Sequence, residues 1–270
     1  MTNEIMFDTN KEYEHQETKS LLVGVREFFQ SKLKVIVPEW ISTKKIETKE
    51  AVVGAEAVVG AITSFYIEKT SEPIYATCNG YDDVRDILSC FECKLNDLLD
   101  SMDDLLDKNT ELDDESKSSL ESYAGAIEKC LNVYNTQKKR RAAKFKELST
   151  VNEIRDELQQ LFGEIIANYI ISVLFDALYE RIKNNSGPIY EIVVKEVNNF
   201  LVANGVYTKT VTIGDRIEPE YMEPTTDSSE NFTDDFNKFD TIDEIRRYPY
   251  LFADGVKIID GQARIWRRKD

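Results

Sequence analysis

Apolar positions recur at helical spacing along most of the chain and at strand spacing only near its end. Leu21, Leu22, Val25, Phe28, Phe29, Leu33 and Ile36 form one helical stripe, which Pro38 stops. Val84, Leu88, Phe91, Leu95, Leu98, Met102 and Leu105 alternate steps of four and three, the a/d seam of a coiled coil or bundle helix, with Asp82 placed to cap it. Asn109 to Asp114 interrupts that pattern. A helix over Ser116–Lys146 then carries Leu120, Tyr123, Ile127, Leu131 and Tyr134 on one stripe. Thr150 and Glu153 have the spacing of a capping box. They open a new helix or lie inside a longer one that runs to Asn184. Within it, Tyr169–Leu178 is apolar nearly all round and needs cover from other helices. Gly187-Pro188 introduces a shorter helix with Ile189, Ile192, Val193, Val197, Phe200 and Leu201 inward and Gly205 as its stop.

After Gly205 only short strand-like runs follow: Tyr207–Ile213, Ile242–Arg246, Val256–Ile259 and Gln262–Arg267. Asp260-Gly261 between the last two reads as the type I′ turn of a hairpin. The stretch 218–240 is an acidic loop containing Pro219 and Pro224, long enough to be functional or without fixed structure. The expected fold class is therefore α+β, mostly α: long helices in a coiled coil or helical bundle, then a small C-terminal β-domain, as a stalk carries a head. The expected domains are an N-terminal helical extension over 1–80, the long helices over 81–205 and the β-domain over 206–270. Ser71–Asn79 reads as a linker.

Composition narrows the choice. The chain has 270 residues, 41% hydrophobic and 31% charged, with a formal charge of −16. Such a surface repels a phosphate backbone, so no nucleic-acid partner is expected. Ala51-Val-Val-Gly-Ala-Glu56 is followed by the near-repeat Ala57-Val-Val-Gly-Ala-Ile62. The uncharged run around it is shorter than the roughly 20 residues of a membrane span, so a buried or self-associating helix is expected before a membrane contact. The polar, acidic start lacks a leader pattern, and the four cysteines are few; a cytoplasmic location is expected. Cys90 and Cys93 make a CxxC inside a helical heptad, without a second CxxC, and His15 is the sole histidine.

Candidate chemistry is sparse. One histidine, no Gly-rich phosphate loop and no nucleophile motif argue against an enzyme. Asp103-Asp104 and Asp234-Asp235 are adjacent carboxylates on solvated segments. No cofactor and no metal are expected, which leaves binding modules and structural proteins.

Four segments, in order, resemble the GrpE family, the nucleotide exchange factors of DnaK chaperones. They are Val173-Leu-Phe-Asp-Ala-Leu-Tyr-Glu-Arg181, Tyr190 to Val206, Ile217-Glu-Pro-Glu-Tyr-Met-Glu-Pro224, and Ile242 to Phe252 continued by Ala263-Arg-Ile265. They span roughly the last third of the chain and follow a helix with a basic patch, Lys138-Lys139-Arg140-Arg141, like the family's own. The resemblance implies a homodimer on a long helical pair and short bundle, with β-domains that wedge open a DnaK-like ATPase so that ADP leaves. It makes Ile217, Pro219, Tyr221, Lys257, Arg264, Arg267, Lys138, Lys139, Arg140 and Arg141 the candidate partner-binding residues. Trp266 is expected in the core of the head. The sequence departs from the family where an arginine precedes the final strand: Ile259-Asp260 stand there, with only Lys257 close by. Met222 replaces a histidine, the acidic loop from Asp227 to Asp240 is expanded, and residues 1–110 have no counterpart. Two other readings stay open: a coiled-coil structural or assembly protein touching membrane through Ala51–Ile67, and a regulator that binds a basic partner through the acidic loop.

Overall fold

The structure, a computed structural model, describes residues 64–68, 71–109, 112–184, 187–225 and 231–268. The expectations for residues 1–63, among them the Leu21–Ile36 stripe and the Ala-Val-Val-Gly repeat, lie outside these, as does part of the acidic loop. The chain is α-rich with a small β region in its C-terminal part.

Helix α1 (Tyr81–Lys108) and helix α2 (Asp114–Glu147) form a hairpin. The a/d seam of α1 is buried within the chain: Phe91, Leu95 and Met102 have no exposed surface, and Tyr134 of α2 donates to the Leu88 carbonyl at 2.7 Å. Asp82 does not cap α1. The helix follows Gly80, and Asp83 instead accepts from the Asn79 N–H at 2.7 Å. Asp113 caps α2 by accepting from Ser116 N–H at 2.7 Å.

Thr150 and Glu153 do form the reciprocal capping box, so a new helix begins there. Helix α3 (Val151–Ile165) continues through a π-helical segment (Ile166–Phe175) into α4 (Asp176–Lys183). This Val151–Lys183 helix is long and apolar enough to cross a membrane, yet 56% of its most apolar window is buried inside the fold. Within Tyr169–Leu178 the cover is partial: Ile170, Ile171, Leu174, Phe175 and Leu178 are buried, Tyr169 is half-buried and Val173 is exposed. Helix α5 (Pro188–Ala203) has Pro188 in its first turn and ends before Gly205, whose φ is 72°.

Three small sheets follow. Strands β1 (Val206–Thr208), β5 (Tyr250–Phe252) and β6 (Lys257–Ile259) are antiparallel in the order β1-β5-β6, with Val206 opposite Phe252. Strands β2 (Met222–Pro224), β7 (Gly261–Ile265) and β4 (Ile242–Arg247) form the order β2-β7-β4, parallel between β2 and β7 and antiparallel between β7 and β4. Short β3 (Phe232–Thr233) and β8 (Arg267–Arg268) pair in parallel.

The expected Asp260-Gly261 hairpin does not form. β6 pairs with β5, and β7 pairs with β2 and β4. Gly261 has no positive φ. It is required instead by close approach: a Cβ there would stand 2.7 Å from Pro249 Cδ and 2.8 Å from the Arg247 carbonyl, and would also meet Met222 Sδ. Segment 71–79 is likewise no free linker. Its 3₁₀ turn (Ile74–Thr77) buries Tyr75, and the next residue, Cys78, is buried too. A Cβ on Gly205 would lie 2.5 Å from the Pro73 backbone.

Helical and strand residues share one buried cluster. Phe175 packs against both Phe65 and Tyr250, and Gly163 lets Phe252 lie on α3. The change near residue 205 is one from helix to strand within a continuous core.

Candidate interaction surface

The basic tetrad on α2 divides into two halves. Lys138 pairs with Glu92 of α1. Arg141 forks between Glu157 at 2.8 Å and Glu164 at 2.6 Å on α3, and is itself largely buried. Lys144 reaches the other oxygen of Glu157. These cations tie α2 to its neighbours. Lys139 and Arg140 point to solvent.

The strand-region candidates are dispersed in the same way. Lys257 donates to the Glu220 carbonyl at 2.8 Å and to Asp260 at 2.7 Å. Arg264 pairs with Asp243 at 2.6 Å and Glu244 at 3.2 Å. Ile217 is half-buried on the core, Pro219 is exposed, and Tyr221 lies under the Lys209 ammonium, 3.6 Å from the ring centroid. Arg267 is exposed, with its backbone N–H donating to the Asn231 carbonyl at 2.8 Å.

Beneath this surface two ionic clusters join the β-unit to α4. Buried Glu244 accepts from Tyr179 at 2.9 Å and from Lys183 at 2.7 Å. Burial alone would raise its carboxyl, but the Lys183 and Tyr179 hydrogen bonds and the Arg264 charge outweigh that and hold it below the usual carboxylate range. Buried Arg247 reaches Asp176 at 3.1 Å and donates through Nε to the Asp260 carbonyl at 3.1 Å. Here desolvation prevails, and the Asp176 carboxyl is raised despite the guanidinium beside it.

What sequence reasoning missed is an aromatic edge inside the acidic loop. Phe236 is 80% exposed and meets Phe239 edge-on at 5.4 Å; Phe232 is exposed on β3. Lys238 sits 5.4 Å from the ring of Trp266, which is half-buried and not in the core. Backbone bonds from Asp240 N–H to Trp266 and from Trp266 N–H to Thr241, each 3.0 Å, hold the loop against the last strands. Asp240 has a φ of 60°, a conformation that Asp tolerates better than most residues. The available signal was the set Phe232, Phe236 and Phe239, spaced four and three apart amid acids.

A groove of about 360 Å³ runs between α3 and the β5–β6 turn, lined by Gln159, Gln160, Glu164, Asn168, Val256 and Lys257. At its edge Tyr75 donates to Asp254 at 2.6 Å and accepts from Gln159 at 2.7 Å. Among the described residues no three His, Cys, Asp or Glu side chains are grouped to hold a metal ion. Comparison with protein-family models, with curated proteins and with solved structures finds no match to this chain.

Proposed function

We propose that the chain is a GrpE-like co-chaperone, a dimeric, non-enzymatic scaffold that binds a DnaK-like ATPase through its β-unit and promotes ADP release. One observation carries the reading. Of the four segments that resemble the family, two supply strands of the small β-unit, Met222–Pro224 of β2 and β4, β5 and part of β7, and the Tyr190–Val206 segment is mostly helix α5 and reaches that unit at Val206 of β1. The remaining segment supplies the helix on which that unit is anchored, through Asp176 and Tyr179. In this reading, binding energy favours an open form of the partner's nucleotide cleft, and no bond is made or broken in the scaffold.

The family's arginine has no substitute in Lys257, which is held by Glu220 and Asp260. The contact therefore falls to the exposed edge of Phe232, Phe236 and Arg267, and on the helical side to Lys139 and Arg140. A structural coiled-coil protein would need a free a/d seam, and that of α1 is occupied by α2.

The test is the rate at which a DnaK-type ATPase releases a fluorescent ADP analogue. The full chain should accelerate release, and Phe236→Ser should abolish the acceleration while leaving the melting curve unchanged. Release that is indifferent to the full chain across DnaK-type partners would refute exchange activity.

A further inference from the structure

Helix α1 carries a pair of thiols that neither the core nor the proposed partner surface uses. Cys90 and Cys93 are exposed, whereas Cys78 and Cys130 are buried. Burial pushes the Cys130 thiol up to about 12, far from a thiolate at neutral pH. Residues three apart on a helix lie one turn apart on the same side, with Cβ atoms ~5–6 Å from each other. Two sulfurs there can converge on one ion.

The backbone between them is pinned. Phe91 is fully buried and stacks on Phe162 at 4.3 Å. Glu92 pairs with Lys138, and Lys94 donates to the Ala203 carbonyl at 2.5 Å. Phe91, Glu92 and Lys94 are thus held from inside, while Cys90 and Cys93 face outward, as does Ser89. Asp86 and Asp97 are exposed one turn before and one turn after the pair, and their charge favours a cation there. Arg85, also exposed, offsets part of the Asp86 charge.

Coordination number selects the ion. Zinc asks for four ligands in a structural site, and no described group of even three is available. Two thiolates fill the shell of a soft monovalent cation, and thiolate ligands favour copper(I). We propose that Cys90 and Cys93 form a two-thiolate site for a soft monovalent cation, copper(I) in biological terms. Each thiol gives up its proton to solvent as the sulfur–metal bond forms, and the metal keeps its oxidation state.

The experiment uses the full, reduced chain under anaerobic conditions, titrated with copper(I) supplied as its bathocuproine disulfonate complex. The expected result is withdrawal of a single equivalent per chain from the chelator, with a thiolate-to-copper absorption band in the near ultraviolet. Cys90→Ser and Cys93→Ser should each lose that equivalent while keeping the parent's circular dichroism, because both positions are solvent-facing. Three outcomes overturn the proposal. One is failure to compete with the chelator. Another is undiminished copper uptake by either variant, which would assign the metal elsewhere. The third is preferential uptake of zinc shared between two chains with a doubling of mass, which would make the pair half of a bridge between copies.

Discussion

The α1–α2 hairpin and the β-unit share one apolar core but differ in what else joins them to it. In the hairpin, one apolar stripe meets its neighbours through Phe91, Leu95 and Met102, and the rings of Tyr134, Phe162 and Phe200 close around Phe91. In the β-unit the strands are two to six residues long, and ion pairs to the helices add to the apolar contacts: Glu244 to Lys183, Arg247 to Asp176. Apolar packing is non-directional and spreads over many contacts, so it tolerates small shifts. A buried ion pair is directional, and losing one partner leaves the other charge desolvated. Away from its aromatic centre the hairpin should therefore tolerate substitution, and the β-unit should fail sharply at its paired charges.

The largest effect should come from Phe91→Ala, which removes a ring shared by α1, α2, α3 and α5. Large-to-small changes at such sites cost about 4 kcal/mol. Chemical denaturation should show the midpoint falling with the slope unchanged. A loss under about 1 kcal/mol, near that of a methylene group, would mean that the aromatic cluster is not the keystone of the hairpin.

Next is Glu244→Gln, which keeps the shape and removes the charge facing Lys183 and Arg264. Both cations keep some solvent access, so roughly 2–3 kcal/mol is expected, below the full cost of a broken buried pair. The pH dependence follows from the depressed carboxyl. Its stabilisation is present above the unfolded carboxyl value, about 4.3, and is lost as pH falls through the lower folded value. Asp176 is raised and acts with the opposite sign: its contribution is present at low pH and lost as pH rises through its folded value. Glu244→Gln should thus flatten the acid limb of a stability-against-pH curve. An unchanged limb would show that Glu244 is not the group that titrates there.

Gly261→Ala should cost about 1–3 kcal/mol through overpacking, because the added methyl meets the Arg247 carbonyl and the Pro249 ring. Gly255→Ala, at a positive φ of 92° but in open space, makes the control: it carries backbone strain without the clash. If Gly261→Ala melts like the parent, crowding does not set the requirement at Gly261.

These contrasts explain what could be read from the sequence. The helices were legible because their signals are local: the steps of four and three in α1, the Thr150–Glu153 box, and Pro188 and Gly205 at the ends of α5. Each of the four expected strands has a counterpart, the first only as Val206–Thr208, but their pairing does not follow from the local pattern. Asp260-Gly261 has the composition of a tight turn, yet long-range pairing of β7 with β2 and β4 overrides it. The Met222–Pro224 strand is three residues with a proline, too short to show alternation. The Glu244 cluster joins groups about 60 positions apart, Lys183 among them, and no periodicity connects those. Four neighbouring cations gave no sign of which two would be consumed by Glu92, Glu157 and Glu164.

That last division yields the smallest predicted stability effect and the cleanest separation of structure from binding. Lys139 and Arg140 are exposed, whereas Arg141 is inserted between Glu157 and Glu164. Reversing both exposed charges, Lys139→Glu with Arg140→Glu, should change stability by less than about 0.5 kcal/mol, as is usual for surface positions. Arg141→Gln, by contrast, strips the largely buried Glu157 of one of its two cations. If the exposed pair serves a partner, its reversal should weaken association with a DnaK-type ATPase and reduce the salt dependence of that association, since opposite charges are screened as ionic strength rises. If the double reversal instead lowers the melting midpoint as much as Arg141→Gln does, the tetrad is one structural unit and offers nothing to a partner.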